Sequence, residues 1–289
     1  MNNIVKADKA LKSIIENIVM ASCKKGGEPF CFSIILLYLK FRWWLFCRLV
    51  NYRVRTPDAL NILLAKLKAG DDFVDIGANV GWVTSAAGFV ISPLSKIYAF
   101  EPSPSVFKLL KNRVKLLRLK NVYIYNFALG SVDSRGILHE FDENFGGASS
   151  LMSDAWMGHK HTRVSDVILK HLDSFFKKES IKNIGLMKID VQGAELDVLR
   201  GAATLLQGSC PPILYIEIEK DSLRAFHYTR KDLMNLISQL GYEMYCWRNF
   251  KLVNIKSVKD LSDGGHDDVV CFKGSSHEEM KSFMKMLSV

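Results

Sequence analysis

The stretch FVDIGANVGWVT, from Phe73 to Thr84, decides how the rest of the sequence is interpreted. It joins a short apolar run to a second apolar run through an acidic residue and two glycines. A short apolar run that ends at a glycine is typical of a buried strand, whereas the second run has the length of a helix. A strand that turns through glycines into a helix can bring backbone N–H groups close to a ligand.

The segments that follow this turn alternate between strand-like and helix-like patterns. Apolar runs such as KIYAF, GLMKID and PPILYIEIE are separated by segments with helical spacing. This alternation predicts a parallel sheet with helices on both faces. Ligands of such sheets bind beyond the carboxyl ends of the strands, so the residues after each strand are the candidates for a site.

Composition and charge narrow the class of protein. The chain has 289 residues, of which 48% are hydrophobic, so a sizeable core is expected and a wholly disordered chain is excluded. A net charge of +9 favours anionic neighbours such as nucleic acid, anionic lipid or a phosphorylated substrate. The six cysteines contain no Cys-x-x-Cys motif, which argues against a disulfide framework or a zinc site and predicts a cytoplasmic protein.

The first 55 residues are predicted to form an N-terminal helical extension, followed by a single domain over residues 56–289. No cleavable signal peptide is recognised, and the aromatic segment Pro29–Val50 is interrupted by Lys40 and Arg42. A spanning helix needs about 20 largely apolar residues, so a transmembrane helix is not expected. Two hypotheses remain: a helix buried against the domain, or an interfacial helix that contacts a membrane peripherally through residues 30–50.

The turn itself points to a nucleoside-containing cofactor. It has the pattern D-x-G-x-N-x-G rather than the G-x-G-x-x-G of nicotinamide dehydrogenases. Glu101, in AFEPSP, ends the second predicted strand, where an acid can accept hydrogen bonds from both hydroxyls of a ribose. Taken singly, each feature also fits an ordinary junction, since glutamate suits a helix start. Together they favour the cofactor.

Five motifs carry a resemblance to a known family: VDIGANVG, AFEPSP, NFALG at Asn126–Gly130, GGASSL at Gly146–Leu151, and LMKIDVQGAELDVLRGA at Leu186–Ala202. In this order they resemble the FkbM family of S-adenosylmethionine (SAM) dependent methyltransferases, from about Asp71 to Tyr245. The family implies a Rossmann-like α/β fold, with a mostly parallel sheet of seven strands and helices on both faces. It also implies methyl transfer to a hydroxyl of a sugar, a glycan or a natural-product small molecule.

The resemblance also implies which residues contact SAM. The turn would lie against the methionine half, the acid after the second strand would bind the ribose, and the residues after the third strand would flank the adenine. Asn79 departs from the family pattern, because it occupies the middle glycine position. The implied contacts are Asp75, Gly77, Ala78, Asn79, Gly81, Glu101, Pro102, Ala128, Leu129 and Asp190.

The chemistry requires a way to remove a proton. A hydroxyl is a poor nucleophile until its proton leaves, so a nearby base helps. Asp190 is the first candidate, with Glu217 after the fifth strand and His227 in the next loop as alternatives. Asp190 could instead cap the following helix or contact the SAM ammonium group, and Glu195 could hold either the loop or the acceptor. A further hypothesis is Mg²⁺ held by Asp190 and an acid after the fifth strand.

Other functions also fit parts of the pattern. An RNA 2′-O-methyltransferase would use the positive charge, but the sequence does not show both lysines of the Lys-Asp-Lys-Glu set that such enzymes use. A non-catalytic SAM-binding scaffold would keep the same turn. The Lys/Arg run over residues 108–120 is interpreted as the solvated face of one helix.

Overall fold

The structure is a computed structural model that describes residues 58–141, 149–152, 161–248 and 251–274. The predicted N-terminal extension lies outside these ranges. The boundary at residue 55 and the membrane contact through residues 30–50 therefore stay predictions. Within the described ranges, no helix is both long and apolar enough to cross a bilayer.

The chain alternates between strands and helices. The helices are α1 (Asp58–Lys66), α2 (Trp82–Val90), α3 (Pro104–Leu116), α4 (Leu172–Lys178), α5 (Glu195–Gly201), α6 (Ala203–Leu206), α7 (Lys220–Ala225) and α8 (Arg230–Gln239). The strands are β1 (Asp72–Ile76), β2 (Ile97–Phe100), β3 (Val122–Tyr125), β4 (Ala128–Gly130), β5 (Ser134–Phe141), β6 (Ser149–Ser150), β7 (His161–His171), β8 (Ile184–Ile189), β9 (Ile213–Glu219), β10 (Glu243–Arg248), β11 (Lys251–Ile255) and β12 (His266–Phe272). The predicted α/β class is confirmed.

The main sheet has the strand order β11-β10-β12-β9-β8-β1-β2-β3. Strands β3, β2, β1, β8 and β9 are parallel, whereas β12 and the β10–β11 hairpin are antiparallel. The expectation of seven strands is wrong, because the described residues already form a main sheet of eight. The additional strand is β11, an edge strand whose five residues are too few to show a clear period-2 pattern.

A smaller second sheet has the order β4-β7-β5-β6. Its centre is the long antiparallel pair β5 and β7, and β4 joins β7 in parallel. Of these four strands, only β5, in SVDSRGILHEF, has a pattern that indicates a strand from the sequence alone. The others were missed because β4 and β6 are very short and because the pairing partners are far apart in the sequence.

An aromatic cluster holds the ends of β2 and β3 in place. Phe100 stacks on Tyr125 with ring centroids 5.0 Å apart, and Phe127 meets Phe175 of α4 edge-on at 4.9 Å. Aromatic pairs in this geometry add stabilisation beyond the area that they bury. The cluster therefore fixes the carboxyl end of β2, where Glu101 follows directly.

Helix α5 lies very close to β4 at one point. A Cβ atom built on Gly201 would lie 1.9 Å from the carbonyl oxygen of Gly130. Only glycine allows this approach, which places the end of α5 directly on the strand that carries Ala128 and Leu129.

We expect Gly201→Ala to lower the free energy of unfolding by at least about 1–3 kcal/mol, because backbone must move to relieve the overlap. Gly264→Ala is the matched control, since a Cβ at that glycine meets nothing within 4 Å. Denaturant unfolding of both variants measures the difference. Equal stability of the two would contradict the close approach of α5 to β4.

Candidate active site

A cavity of about 300 Å³ opens where β1, β2, β8 and β9 end. The strands are parallel, so the residues that follow them meet at one edge of the sheet. Eight of the predicted site residues line this cavity: Gly77, Asn79, Glu101, Pro102, Ala128, Leu129, Asp190 and Glu217.

Four predicted site residues do not line the cavity. Asp75 is fully buried within β1, where it accepts a hydrogen bond of 2.6 Å from the Thr84 hydroxyl. Ala78 and Gly81 are buried in the turn. His227 lines a separate surface groove beside Arg200 and Tyr228. The structure therefore does not bring His227 to the reaction edge.

The turn after β1 is left-handed at alternate residues. The φ angles are 80° at Gly77, 50° at Asn79 and 85° at Gly81. Asparagine tolerates this region better than most residues, which explains why Asn79 can replace the glycine of the family pattern. A Cβ on Gly77 would lie 1.8 Å from the Asp190 carbonyl oxygen, and one on Gly81 would lie 2.5 Å from Leu110 Cδ1. Backbone conformation and neighbouring protein atoms, rather than a ligand alone, require these glycines.

Glu101 connects two loops beneath the cavity. Its carboxylate accepts 2.9 Å hydrogen bonds from the backbone N–H groups of Asn79 and Ser103, and the residue is only 5% exposed. Burial raises the pKa of Glu101 to about 7, although the two N–H donors oppose the shift. Each oxygen keeps a lone pair that a ligand hydroxyl can use.

Lys188 is a buried cation that the sequence analysis did not select. It lies in β8, two residues before Asp190, so both side chains are on the same face of the sheet. Its Nζ is 3.0 Å from Asp190 Oδ2, 3.5 Å from Asp75 Oδ1 and 3.4 Å from the Gly77 carbonyl oxygen. Burial alone would lower the pKa of Lys188, but attraction to Asp190 and Asp75 outweighs it and raises the pKa. The feature of the sequence that could have pointed to Lys188 is a charged residue inside an otherwise apolar strand.

Asp190 is held by two donors. Besides Lys188, the Gln192 side chain donates from Nε2 to Asp190 Oδ1 at 2.9 Å. Burial would raise the pKa of Asp190, but Lys188 and these hydrogen bonds lower it below its usual value. Asp190 is therefore ionised and a weak proton acceptor.

Gln192 links Asp190 to Glu217. Its Nε2 donates to Glu217 Oε2 at 2.6 Å, while its own Oε1 is buried without a hydrogen-bond partner. Burial, followed by the negative charge of Asp190, raises the pKa of Glu217 well above its usual value. At neutral pH the carboxyl group of Asp190 is thus charged and that of Glu217 is neutral.

His266 is a second residue that the sequence analysis missed. It is the first residue of β12 and pairs with Glu219, so the start of this antiparallel strand lies where β9 ends. Its Nδ1 is 3.6 Å from Glu217 Oε1, and its side chain is 54% exposed. The sequence shows a histidine before a strand, but not the direction in which that strand pairs.

Glu195 and Glu219 hold the loops that border the site. Glu195 accepts hydrogen bonds from the N–H groups of Val191 and Gly193 at 3.2 and 3.1 Å, which favours the loop role over contact with an acceptor. Glu219 lines the cavity, and its carboxylate caps the start of α7. Across the described ranges, no group of three or more His, Cys, Asp or Glu side chains is arranged to hold a metal ion. The described residues therefore give the Mg²⁺ hypothesis no support.

The small sheet contributes one wall of the cavity. Leu138 of β5, Ser149 of β6 and Leu151 line it. The Ser150 hydroxyl donates to the Gln192 carbonyl oxygen at 3.2 Å, which joins this wall to the loop after β8. Part of the GGASSL motif is thus placed beside the site, while residues 146–148 lie outside the described residues.

Residues 75–244 match the family model of the methyltransferase FkbM domain. The chain belongs to the FkbM methyltransferase family. The resemblance drawn from the five sequence motifs is thereby confirmed.

Several relatives and one solved structure accompany this match. Methyltransferase 1 of Beauveria bassiana (strain ARSEF 2860) is 30% identical over 142 residues, which cover 44% of this chain and 57% of that protein. Methyltransferase sdnD of Sordaria araneosa is 29% identical over 169 residues, 48% of this chain and 62% of that protein. The chain thus spans about three fifths of each. A crystal structure of methyltransferase FkbM from Methylobacillus flagellatus KT aligns with a TM-score of 0.47 at 16% identity, covering 83% of this chain and 55% of that one.

A relative with a different printed activity also matches. The probable cobalt-precorrin-6B C(15)-methyltransferase (decarboxylating) of Sulfurisphaera tokodaii (strain DSM 16993 / JCM 10545 / NBRC 100140 / 7) is 33% identical over 162 residues. The match covers 52% of this chain and 80% of that protein. Its name specifies a carbon atom as the methyl acceptor.

The residues at the cavity fit SAM. The Glu101 carboxylate suits the two hydroxyls of a ribose, and Leu129 and Leu138 supply apolar surface of the kind that an adenine ring needs. Asp190 adds a negative charge that suits a ligand with an ammonium group and a sulfonium centre.

We expect SAM affinity to fall as the pH drops below about 7, because Glu101 then takes up a proton and can no longer accept from both ribose hydroxyls. Glu101→Gln should weaken SAM by about 1.5–3 kcal/mol above this pH and abolish the pH dependence below it. Calorimetry with SAM over a pH series measures both effects. An unchanged affinity in a folded Glu101→Gln variant would remove Glu101 from the site.

The free protein should show the opposite trend. Its folded state binds the Glu101 proton more tightly than the unfolded chain does, so this group contributes stability at low pH. That contribution is lost as the pH rises from about 4.5 through about 7. Glu101→Gln should reduce this loss in denaturant unfolding.

Proposed function

We propose that the chain transfers a methyl group from SAM to a hydroxyl oxygen of a small, uncharged acceptor, such as a sugar, a glycan or a natural product. Membership of the FkbM family supports methyl transfer. The observation that carries the choice of acceptor is the set of hydrogen-bonding side chains at one end of the cavity, namely Asp190, Gln192, Glu217 and His266. Carboxyl, amide and imidazole groups are suited to hold a hydroxyl.

The charge of the cavity supports an uncharged acceptor over RNA. No lysine or arginine is among the described residues that line it. Lys188 lies behind the lining and is neutralised by Asp75 and Asp190. An RNA substrate would bring phosphates that need cations at the site, so the net charge of +9 does not by itself favour RNA.

When bound in the cavity, SAM supplies an electrophilic methyl group on a sulfonium centre. The chain contributes mainly by positioning, since a neutral thioether is already a good leaving group. Glu101 holds the ribose end of the cavity, and Leu138 and Leu151 of the small-sheet wall exclude water from it.

Asp190 orients the acceptor through its charge. Lys188 and Gln192 fix its carboxylate, so a hydroxyl of the acceptor next to the one that is methylated can donate to it in one defined position. The ion pair lowers the pKa of Asp190, which makes it better suited to accept a hydrogen bond than to remove the proton. Helix capping is not favoured, because the start of α5 at Ala194 has no side-chain cap.

A carbon acceptor is the second candidate. The observation in its favour is the 33% identity to the relative whose name specifies C(15) methylation, of which the match covers 80%. Both reactions use the same donor, so the chemical nature of the new methyl group distinguishes them.

The test is to incubate the purified protein with SAM carrying a ¹³C-labelled methyl group and a panel of neutral sugars, polyols, phenols and a short RNA. NMR of the products separates a methoxyl group from a carbon-bound methyl group. A methoxyl on an uncharged acceptor is the expected result. Labelling of RNA alone, or a carbon-bound methyl, would overturn the proposal, and SAM binding without any product would favour the scaffold.

We expect Asp190→Asn to lower the rate of methyl transfer about 10²–10³-fold, because the charge that holds the acceptor hydroxyl is lost. SAM affinity should also fall, because Asp190 no longer attracts the positive groups of SAM, so the rate is measured at saturating SAM. A chelator should not affect the wild-type rate. Asp166→Asn, an exposed position on β7, is the matched control. Near-normal turnover by Asp190→Asn would remove Asp190 from the reaction.

A further inference from the structure

His266 combines two properties that a proton acceptor for this site needs. It is the only histidine among the described residues that line the cavity. Its side chain is 54% exposed, so a proton that it accepts can pass on to water. Histidine is also the side chain whose protonation ordinarily changes near neutral pH.

The imidazole of His266 has a partner that is itself held in place. Gln192 Nε2 donates to Glu217 Oε2 at 2.6 Å, which leaves the other oxygen, Oε1, on the side of His266. His266 Nδ1 is 3.6 Å from this oxygen. Because Nδ1 faces Glu217, Nε2 is the ring nitrogen left for an acceptor. In many proton-transfer sites, the base that takes the proton from the nucleophile is oriented by a third group.

We propose that His266 takes the proton from the methyl-accepting hydroxyl and that Glu217 is the positioning residue that holds its ring. The inference rests on the proposed function, and it names a residue that neither the family match nor the relatives assign.

The other acidic groups of the cavity already have tasks that leave them poorly suited to take this proton. Lys188 neutralises Asp190, and the Glu219 carboxylate accepts from the N–H groups of Asp221 and Ser222. The Glu101 carboxylate accepts hydrogen bonds from the N–H groups of Asn79 and Ser103.

The step balances as a displacement. The hydroxyl O–H bond breaks, and its proton moves to Nε2 of His266. An oxygen electron pair forms the new O–CH₃ bond, and the electrons of the broken S–CH₃ bond stay on sulfur. His266 then releases the proton to water, so the net products are the methyl ether, the thioether and one proton.

Acidic side chains surround His266. Glu217 and Glu219 of β9 lie beside it, Asp190 of β8 lies beyond Glu217, and Asp268 of its own strand interacts with it electrostatically. Asp190 is ionised, so a positive charge that develops on the ring is partly offset without a new ion entering the site.

The first experiment compares the two candidate histidines. With an acceptor from the panel that the wild type methylates, His266→Gln should lower kcat about 10²–10⁴-fold. Its affinity for SAM, measured by calorimetry, should be unchanged. Added imidazole should partly restore the rate of His266→Ala. In the pH profile of His266→Gln, the limb in which the wild-type rate rises as a proton is lost should disappear. A loss of rate in His227→Gln with a normal rate in His266→Gln would overturn the inference.

The second experiment tests the positioning role in the free protein, without acceptor. The ring C–H resonances of His266, assigned by their absence in His266→Gln, should move in Glu217→Gln and stay in place in Asp166→Asn. The resonances of His227 serve as the internal reference. Unmoved His266 resonances in a folded Glu217→Gln variant would contradict the role of Glu217.

The two proposals fail differently. If the wild type methylates no hydroxyl, the proposed function is wrong and the role of His266 falls with it. If the wild type methylates a hydroxyl and His266→Gln does so at the same rate, only the role of His266 is overturned.

Discussion

The buried ammonium group of Lys188 is the interaction on which the rest of the site depends. It contacts Asp75 within β1, the carbonyl oxygen of Gly77 in the turn and Asp190 at the end of β8. Two neighbouring strands and the turn between strand and helix are thereby held by one charge. Removing it would leave two carboxylates near each other without compensation, and breaking a buried pair in this way is strongly destabilising.

The same charge sets the order of protonation across the cavity. Lys188 keeps Asp190 ionised, and Asp190 in turn raises the pKa of Glu217. Gln192 holds both carboxyl groups at fixed distances. Neighbouring acids with opposite protonation states can take different tasks, so a charged group can orient a hydroxyl while a neutral one supports the imidazole of His266.

Close approach within the protein explains features that first suggest a ligand. Gly77 packs against the Asp190 carbonyl group, and Gly201 packs against Gly130. The first contact joins the turn after β1 to the end of β8. The second joins α5 to β4, the strand of the small sheet that carries Ala128 and Leu129. The cavity therefore takes its shape from backbone packing before any ligand enters it.

By itself the sequence determined the strand–turn–helix unit, the acids after the strands and the family. These features are local: a residue such as Glu101 or Asp190 follows its strand directly, and parallel strands end at one edge. Only the tertiary structure decided which groups contact Lys188, and that His266 rather than His227 lines the cavity. Each of these depends on pairing between distant segments. The antiparallel direction of β12 is the clearest case, since reversing it would carry His266 to the opposite edge of the sheet.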